Sequence, residues 1–372
     1  MLIGVPKEIK TEEYRVGLVP ATIKELTAKG HAVVVESHAG EGAGIDDADY
    51  VAAGARIAGG ADEIFSSAGL IVKVKEPLAV ERKKLRRGQI IFTYLHLAAD
   101  ADQTRDLLAS GVTAIAYETV TDAAGRLPLL APMSEVAGRM AAQVAAHFLE
   151  RPQGGRGILF SGSDGAPAAD VLILGGGTVG SNAAQIALAM GAGVTVVVHS
   201  RKSAERLSQQ FGGHVRALTA SPDLIASLCA SADVVIGAAL VPGAAAPKLV
   251  TAAMVKAMKP GAVVIDVSID QGGCFETSHP TTHTNPTFVV DGVVHYCVAN
   301  MPGAVPRTAA FALNNATRPF VLALADKGFP QALLEEEHLR NGLNVHDGKL
   351  TCRAVADALR LPYTPASDLL KT

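Results

Sequence analysis

The sequence lacks the features of several protein classes. Its four cysteines are scattered without C-x-x-C or metal-ligand spacing, so we expect reduced thiols and neither a structural disulfide nor a bound metal. No block of like charges occurs and the net charge is only −3, which offers no electrostatic footprint for nucleic acid or an anionic membrane. Charges, glycines or prolines interrupt every apolar stretch before it could span a membrane, and the N terminus does not resemble a signal peptide. These absences favour a cytoplasmic protein with a small-molecule partner.

Apolar residues are abundant instead. With 49% hydrophobic and 19% charged residues the chain is globular, and its 372 residues suit two α/β domains better than one core. Apolar runs such as residues 2–5, 70–74 and 90–94 alternate with segments of helical composition such as 20–29 and 101–110. This alternation predicts parallel sheets that are wound on both faces.

A change of pattern near Pro128 marks a domain boundary. A helix with one apolar face begins near Ser134, and a Gly-rich loop leads from it to the next strand. We predict an α/β fold with two Rossmann-like doubly wound domains joined by long helices. Residues 131–304 would bind a dinucleotide, and residues 1–130 with 305–372 would form a discontinuous substrate and catalytic domain. The chain beyond residue 307 has helical composition and is expected to pack back on the first domain.

The strongest motif is a strand, turn and helix pattern over residues 170–191. Its glycines Gly175, Gly177 and Gly180 stand in the G-x-G-x-x-G register. They would serve the tight turn, the approach of backbone to a pyrophosphate and close helix–strand packing, respectively. The N–H groups and dipole of the helix start would face an anion. Because a second apolar strand follows at 194–198, a dinucleotide site is favoured over a glycine turn that only packs.

Four polar residues follow predicted strands, at the edge where open parallel sheets bind ligands: Arg15, Lys75, His96 and Asp270. Each alone has an ordinary explanation as a solvated charge, a loop histidine or a turn residue. Together, an arginine and a lysine can hold a small carboxylate, and a histidine can move a proton near neutral pH. A carboxylate near the cofactor can activate water. The set suits oxidation of a small amino acid by hydride transfer, but the spacing does not name the substrate.

The chain resembles the alanine dehydrogenases over nearly its whole length. The segments that carry the resemblance are IGVPKEIK (3–10), EYRVG (13–17), VKVKEP (72–77), TYLHL (93–97), PMSEV (132–136) and, most specifically, DQGGCFETSHPTTH (270–283) and VANMPG (298–303). The resemblance implies reversible oxidative deamination of L-alanine to pyruvate and ammonium with a nicotinamide dinucleotide. It also implies a cytoplasmic homohexamer.

The resemblance assigns roles by motif. Arg15 and Lys75 would bind the carboxylate and carbonyl region of the substrate, and His96 and Asp270 would transfer protons. Hydride would leave the alanine Cα, and either His96 or Asp270 would deprotonate the water that attacks the resulting iminium. The positions that would line the cofactor are Ser134, Thr178, Val179, Ala239, Leu240, Val267, Ser268, Ile269, Asp270, Val298, Ala299, Asn300 and Met301.

One position departs from the NAD-binding pattern. An acidic residue about 20 residues after the glycines usually accepts the ribose hydroxyls, but the family's aspartate falls at Val198 here. The residues that follow, His199, Ser200, Arg201 and Lys202, supply a hydroxyl and two cations that suit a 2′-phosphate. NAD is the cofactor that the resemblance implies. Use of NADP remains open, as does a purely solvent-facing role for the two cations.

Two other functions are considered. The soluble dinucleotide-binding component of a proton-translocating transhydrogenase shares the double-Rossmann plan, but it requires a membrane portion or partner and has no use for an amino-acid pocket. The presence of His96 and the lack of spanning segments argue against it. A catalytically silent nucleotide-binding regulator would bind the cofactor without turning over an amino acid. The presence of all four polar residues argues against the second alternative.

Overall fold

A computed structural model describes residues 1–239 and 246–370. The chain divides into two compact units: unit 1 contains Met1–Met133 and Gly303–Thr372, and unit 2 contains Ser134–Pro302. In the part of the chain that the structure describes, no helix is both long and apolar enough to cross a membrane.

Strands and helices alternate along most of the chain. The strands are β1 (Leu2–Val5), β2 (Ala32–Glu36), β3 (Arg56–Ala58), β4 (Leu70–Val72), β5 (Ile90–Thr93), β6 (Thr113–Ala116), β7 (Asp170–Leu174), β8 (Gly193–Val198), β9 (Arg216–Thr219), β10 (Val234–Gly237), β11 (Val263–Asp266), β12 (Thr287–Val290), β13 (Val293–Tyr296), β14 (Leu343–His346) and β15 (Lys349–Leu350). The helices are α1 (Pro20–Ala28), α2 (Asp47–Ala52), α3 (Ala61–Ser67), α4 (Ala79–Arg82), α5 (Ala101–Ser110), α6 (Ala131–Phe148), α7 (Thr178–Ala189), α8 (Arg201–Gln210), α9 (Pro222–Ser231), α10 (Ala252–Lys256), α11 (Pro306–Lys327), α12 (Gln331–Glu335), α13 (Glu337–Arg340), α14 (Arg353–Leu359) and α15 (Ala366–Leu369).

The sheet of unit 1 has the strand order β15-β14-β6-β5-β4-β1-β2-β3. Strands β1 to β6 pair in parallel, and β14 pairs antiparallel with both β6 and β15. Apolar clusters cover both faces. In β2, for example, Val33 and Val35 belong to one cluster and Val34 to the other. Burial on both faces explains why these strands are continuous apolar runs.

The sheet of unit 2 has the order β12-β13-β11-β10-β7-β8-β9, and all neighbours are parallel except β12 and β13. Numbered from its first strand, each unit has the doubly wound order 3-2-1-4-5, which β6 continues in unit 1 and β13 continues in unit 2. The strand order therefore reverses between β1 and β4 in unit 1 and between β7 and β10 in unit 2. A doubly wound sheet binds ligands at such a switch point. The predicted fold class is confirmed.

The expectation of a wholly helical C-terminal segment was wrong. Strands β14 and β15 form a hairpin that extends the sheet of unit 1. Its turn contains Asp347 and Gly348, both with positive φ (47° and 76°). An Asp-Gly pair in this conformation is the signature of a tight hairpin turn, and this local signal outweighs the helical composition around it.

Candidate functional site

Each of the three motif glycines of unit 2 is required for a different steric reason. Gly175 has a φ of +113°, and a Cβ there would lie 2.4 Å from the carbonyl oxygen of Ala238. A Cβ at Gly180 would lie 1.9 Å from the carbonyl oxygen of Gly175, so α7 can pack on the turn only without a side chain. A Cβ at Gly177 would meet no atom within 4 Å. Gly177 precedes the first residue of α7 and faces open space. Without a side chain at this position, a ligand can approach the backbone closely.

This open space is part of a cavity of about 610 Å³ within unit 2. The described residues that line it are Ser134, Leu174, Gly175, Gly176, Gly177, Thr178, Val179, Val197, Val198, His199, Ser203, Arg206, Ala220, Ile225, Ala238, Ala239, Pro247 and Leu249. The walls are mainly apolar, and the N terminus of α7 supplies unpaired N–H groups and the positive end of its dipole. The cavity therefore fits a dinucleotide: an apolar slot for the base beside a cradle for the pyrophosphate.

The cavity includes only part of the predicted cofactor set. Ser134, Gly175, Gly177, Thr178, Val179, Val198, His199 and Ala239 line it, whereas Gly180 packs behind the turn. Ser200, Arg201 and Lys202 are not among its described lining residues, and neither are the predicted residues after β11 and β13. Leu240 lies outside the described residues.

The predicted segments 267–270 and 298–301 follow β11 and β13, which run parallel to β7 and β10. They therefore share the carboxyl edge of the sheet with the glycine turn. The Ser268 hydroxyl donates to the carbonyl oxygen of Ala239 at 2.7 Å and ties the first segment to the end of β10. Asp270 lies in a short 3-10 turn and is exposed. Its carboxylate is thus presented at the switch-point edge of unit 2.

In unit 1, the first connection places Arg15 at the carboxyl edge of the sheet. Arg15 is almost completely buried, and its Nε and Nη2 donate to the Glu13 carboxylate at 2.7 and 2.5 Å. Its Nη1 lies 2.9 Å from Met133 Sδ. This bidentate pair fixes the plane of the guanidinium in advance.

Lys75 follows β4 and is anchored through its backbone. The Glu8 carboxylate accepts from the N–H groups of Val74 at 2.6 Å and Lys75 at 3.3 Å. Its other oxygen accepts from Lys73 Nζ at 3.0 Å, and this ammonium also donates to Glu81 at 2.7 Å. Glu8, Lys73 and Glu81 thus form a buried triad beneath the strand end.

The triad's charges are strongly perturbed. Burial alone would lower the pKa of Lys73, but the carboxylates of Glu8 and Glu81 raise it. Burial raises the pKa of Glu8 despite the opposing effect of Lys73. For Glu8, burial therefore outweighs the attraction of Lys73 and favours the neutral carboxyl.

His96 follows β5 and has a positive φ of 53°. The backbone N–H groups of Leu95 and His96 donate to the Glu118 carboxylate at 3.1 and 2.6 Å. Glu118 itself follows β6, the next strand of the sheet. The imidazole is half-exposed and stacks on Tyr94, with ring centroids 5.8 Å apart. Glu118 therefore holds a strained turn that presents the ring to solvent.

Three of the four predicted polar residues, Arg15, Lys75 and His96, thus follow β1, β4 and β5, which are neighbours in the sheet of unit 1. Asp270 belongs to unit 2. Sequence reasoning missed the groups that position them: Glu8, Glu13, Lys73, Glu81 and Glu118. The sequence offered one signal of these groups: Lys73 lies between two apolar residues, Val72 and Val74, where a buried charge needs a carboxylate partner. Sequence reasoning also missed Ser203 and Arg206, which lie three residues apart on one face of α8 and line the cavity of unit 2.

Two family models match nearly the whole chain. Residues 4–137 match the model of "Alanine dehydrogenase/PNT, N-terminal domain", and residues 141–353 match that of "Alanine dehydrogenase/PNT, C-terminal domain". An alanine dehydrogenase of Halomonas elongata is 57% identical over 370 residues, which covers 100% of both chains.

Solved structures agree. A structure titled L-alanine dehydrogenase has a TM-score of 0.94 and 49% identity and covers 97% of this chain and 99% of its own. A transhydrogenase from Sinorhizobium meliloti has a TM-score of 0.83 at 26% identity, covering 94% of this chain and 100% of its own. A glycine cradle in one doubly wound unit, fixed cations in the other and full-length similarity all agree: the chain belongs to the alanine dehydrogenase/PNT family.

Proposed function

We propose that the chain is an L-alanine dehydrogenase, which oxidises L-alanine reversibly to pyruvate and ammonium with NAD. The observation that carries the proposal is similarity over the full length, at 57% identity, to a protein named alanine dehydrogenase. The similarity to a transhydrogenase is weaker, at 26% identity. It accounts for the shared fold and does not explain the fixed cations of unit 1.

Unit 2 holds the dinucleotide in this proposal. NAD, when bound, accepts the hydride from the substrate. The N–H groups at the start of α7 bind the pyrophosphate beside Gly177, where no side chain obstructs the approach. The segments 267–270 and 298–301 line the remainder of the cofactor.

Unit 1 holds the amino acid. The Arg15 guanidinium, held flat by Glu13, binds the substrate carboxylate. Lys75 adds a second positive charge at the same sheet edge and polarises the carbonyl oxygen of pyruvate in the reverse reaction. Because the Arg15 guanidinium is anchored before substrate arrives, little of its conformational entropy is lost on binding.

His96 and Asp270 move the protons. Loss of hydride from Cα leaves an iminium, and a water must lose a proton to attack it. His96 can take this proton near neutral pH, and Asp270 can take it or stabilise the cation. Which of the two acts as the base is distinguished by the pH dependence of kcat in His96 and Asp270 variants.

The test is the initial rate of L-alanine oxidation at mildly alkaline pH, followed through the absorbance of reduced nicotinamide. We expect NAD-dependent turnover with L-alanine and ammonium-dependent NADH oxidation with pyruvate. Binding of NAD without turnover of alanine would instead support a silent nucleotide-binding regulator or a transhydrogenase component.

We further propose that the protein is a cytoplasmic homohexamer. This rests on the family resemblance alone. Light scattering coupled to size exclusion should give a mass six times that of the 38.3 kDa chain. A monomer or dimer mass at micromolar concentration would contradict this assembly while leaving the proposed reaction untouched.

A further inference from the structure

The end of the unit 2 cavity that lies beside the end of β8, where the adenosine ribose would bind, lacks the usual negative charge among its described residues. In a doubly wound dinucleotide site, the end of the second strand faces the adenosine ribose, usually with a carboxylate. The second strand here is β8, and its last residue, Val198, is buried and lines the cavity. The described lining residues include no carboxylate at all. Nothing in this lining repels a phosphate on the ribose.

The helix that follows β8 presents one cation to the cavity. Ala204 and Leu207 are the buried residues of α8 and fix the rotation of the helix. With this rotation, Ser203 and Arg206 line the cavity. Arg206 Nη2 donates to the carbonyl oxygen of Gly176 at 2.7 Å, so its guanidinium lies against the glycine turn. Its Nη1 donates to Gln210 at 3.0 Å.

Arg201, the more obvious cation in the sequence, is engaged elsewhere. It begins α8, its side chain is 89% exposed, and its Nε donates to Glu205 one turn along the same helix at 2.8 Å. It is not among the described residues that line the cavity. Arg206, not Arg201, is therefore positioned to meet a group on the ribose.

We propose that this end of the cavity accepts the 2′-phosphate of NADP, with Arg206 as the main binding residue and Ser203 and His199 as further hydrogen-bond donors. The chain then uses NADP as well as NAD. A guanidinium gives a phosphate charge-assisted, geometrically matched hydrogen bonds, and a serine hydroxyl and an imidazole complete the shell. The proposal rests on the dinucleotide-binding part of the proposed function and not on the identity of the amino acid.

Fragments of the cofactor test this without any turnover. Isothermal titration calorimetry compares adenosine 2′,5′-bisphosphate with 5′-AMP, which differ only by the 2′-phosphate. The wild type should bind the bisphosphate at least as tightly as AMP. Arg206→Met should weaken the bisphosphate roughly 10- to 100-fold, the size of a charge-assisted hydrogen bond, and change AMP binding less than about threefold. Arg206→Lys should retain an intermediate affinity because it keeps the charge without the planar fork.

Two further variants make the result specific. Arg216→Met removes an exposed cation at the amino end of β9 and controls for net charge. It should leave both affinities unchanged. A loss in Arg201→Met as large as that in Arg206→Met would move the role to Arg201 and overturn the assignment. Equal weakening of AMP and the bisphosphate by Arg206→Met would also overturn it, because Arg206 would then only brace the glycine turn.

Kinetics give a second measure. The kcat/KM with NADP should lie within about 100-fold of that with NAD, and Val198→Asp should lower the ratio of the NADP value to the NAD value. Wild-type binding of the bisphosphate more than about threefold weaker than AMP binding contradicts the proposal. Because the titrations need no amino-acid substrate, absence of alanine oxidation would refute the proposed reaction and leave this result standing.

Discussion

The two units share the order of their first five strands, but the connections at their switch points carry different groups. In unit 2 the first strand turns into its helix through Gly175, Gly176 and Gly177, which leave the backbone bare where the proposed dinucleotide binds. In unit 1 the corresponding connection runs over residues 6–19 and carries Glu8, Glu13 and Arg15. One topology therefore supports recognition by backbone dipoles in one place and by side-chain charge in the other.

This difference has an energetic reason. A helix N terminus binds an anion with groups that are already polarised and need no counter-charge. A buried guanidinium or ammonium needs a carboxylate, because an unpaired buried charge costs several kcal/mol. Unit 1 therefore contains the pairs Arg15–Glu13 and Lys73 with Glu8 and Glu81. It tolerates side-chain substitution poorly, whereas unit 2 should be most sensitive to the addition of atoms at its glycines.

The largest expected effect is on the chemistry. His96→Ala in unit 1 and Asp270→Asn in unit 2 should each lower kcat by roughly two to four orders of magnitude, the usual range for a positioned acid or base. His96→Ala, which lies outside the dinucleotide unit, should leave NAD affinity nearly unchanged. His96→Asn is the matched control for the backbone, since asparagine tolerates the positive φ at this position. Near-normal turnover in any of these variants removes that residue from the mechanism.

Breaking the buried triad should destabilise unit 1 strongly. Lys73→Met leaves Glu8 and Glu81 buried beside each other, at a cost of roughly 3–5 kcal/mol. Urea denaturation monitored by circular dichroism measures this loss. The double variant Lys73→Met with Glu8→Gln should recover part of it, because one carboxylate is removed. If Lys73→Met is as stable as the wild type, the charge pairing of the triad does not contribute to the unfolding free energy.

Two glycine substitutions separate ligand approach from packing in unit 2. Gly180→Ala places a Cβ against the Gly175 carbonyl oxygen and should lower the unfolding free energy by about 1–3 kcal/mol, as overpacking does, while weakening NAD binding. Gly177→Ala meets no protein atom, so it should weaken NAD binding with unchanged thermal stability. Thermal melts with and without NAD measure both quantities. Loss of stability in Gly177→Ala would refute the assignment of its open space to the ligand.

The smallest expected effect is a pH dependence from a buried histidine of unit 2. His295 is fully buried, its Nδ1 lies 3.0 Å from the Val293 carbonyl oxygen, and its Nε2 lies 2.8 Å from the Thr277 hydroxyl. Burial lowers its pKa below the usual 6.5. The stability that the neutral ring contributes is complete above pH 6.5 and decreases as the pH falls through the lowered pKa.

His295→Gln should therefore reduce the slope of unfolding free energy against pH below 6.5, by at most about 1.4 kcal/mol per pH unit for one proton. The half-buried His346 of unit 1, whose pKa is also lowered by burial, should contribute to the residual slope together with the carboxyl groups whose pKa values the fold shifts. The exposed His214→Asn is the control and should leave the slope unchanged. If His295→Gln leaves the slope of unfolding free energy against pH unaltered, the acid sensitivity arises from groups other than His295.

Much of the architecture was predictable because its causes are local. Doubly buried strands are apolar runs, and the glycine turn requires residues without a Cβ at fixed spacing. The C-terminal hairpin was missed although its Asp-Gly turn is a local signal. The positioning carboxylates were not predictable, because Glu8, Glu81 and Glu118 are recognisable only once the strands that they follow or brace are neighbours.

The sequence by itself determined that the chain alternates strands and helices, that one turn must be bare backbone, and that Arg15, Lys75, His96 and Asp270 follow strands. Each of these depends on covalent chemistry and short-range sterics. Only the tertiary structure decided that Arg206 and not Arg201 meets the cavity, because the burial of Ala204 and Leu207 sets the rotation of α8. It alone decided which charges are paired, since pairing joins residues as far apart as Glu8 and Lys73, and a buried ion exists only where a fold brings its partner to it.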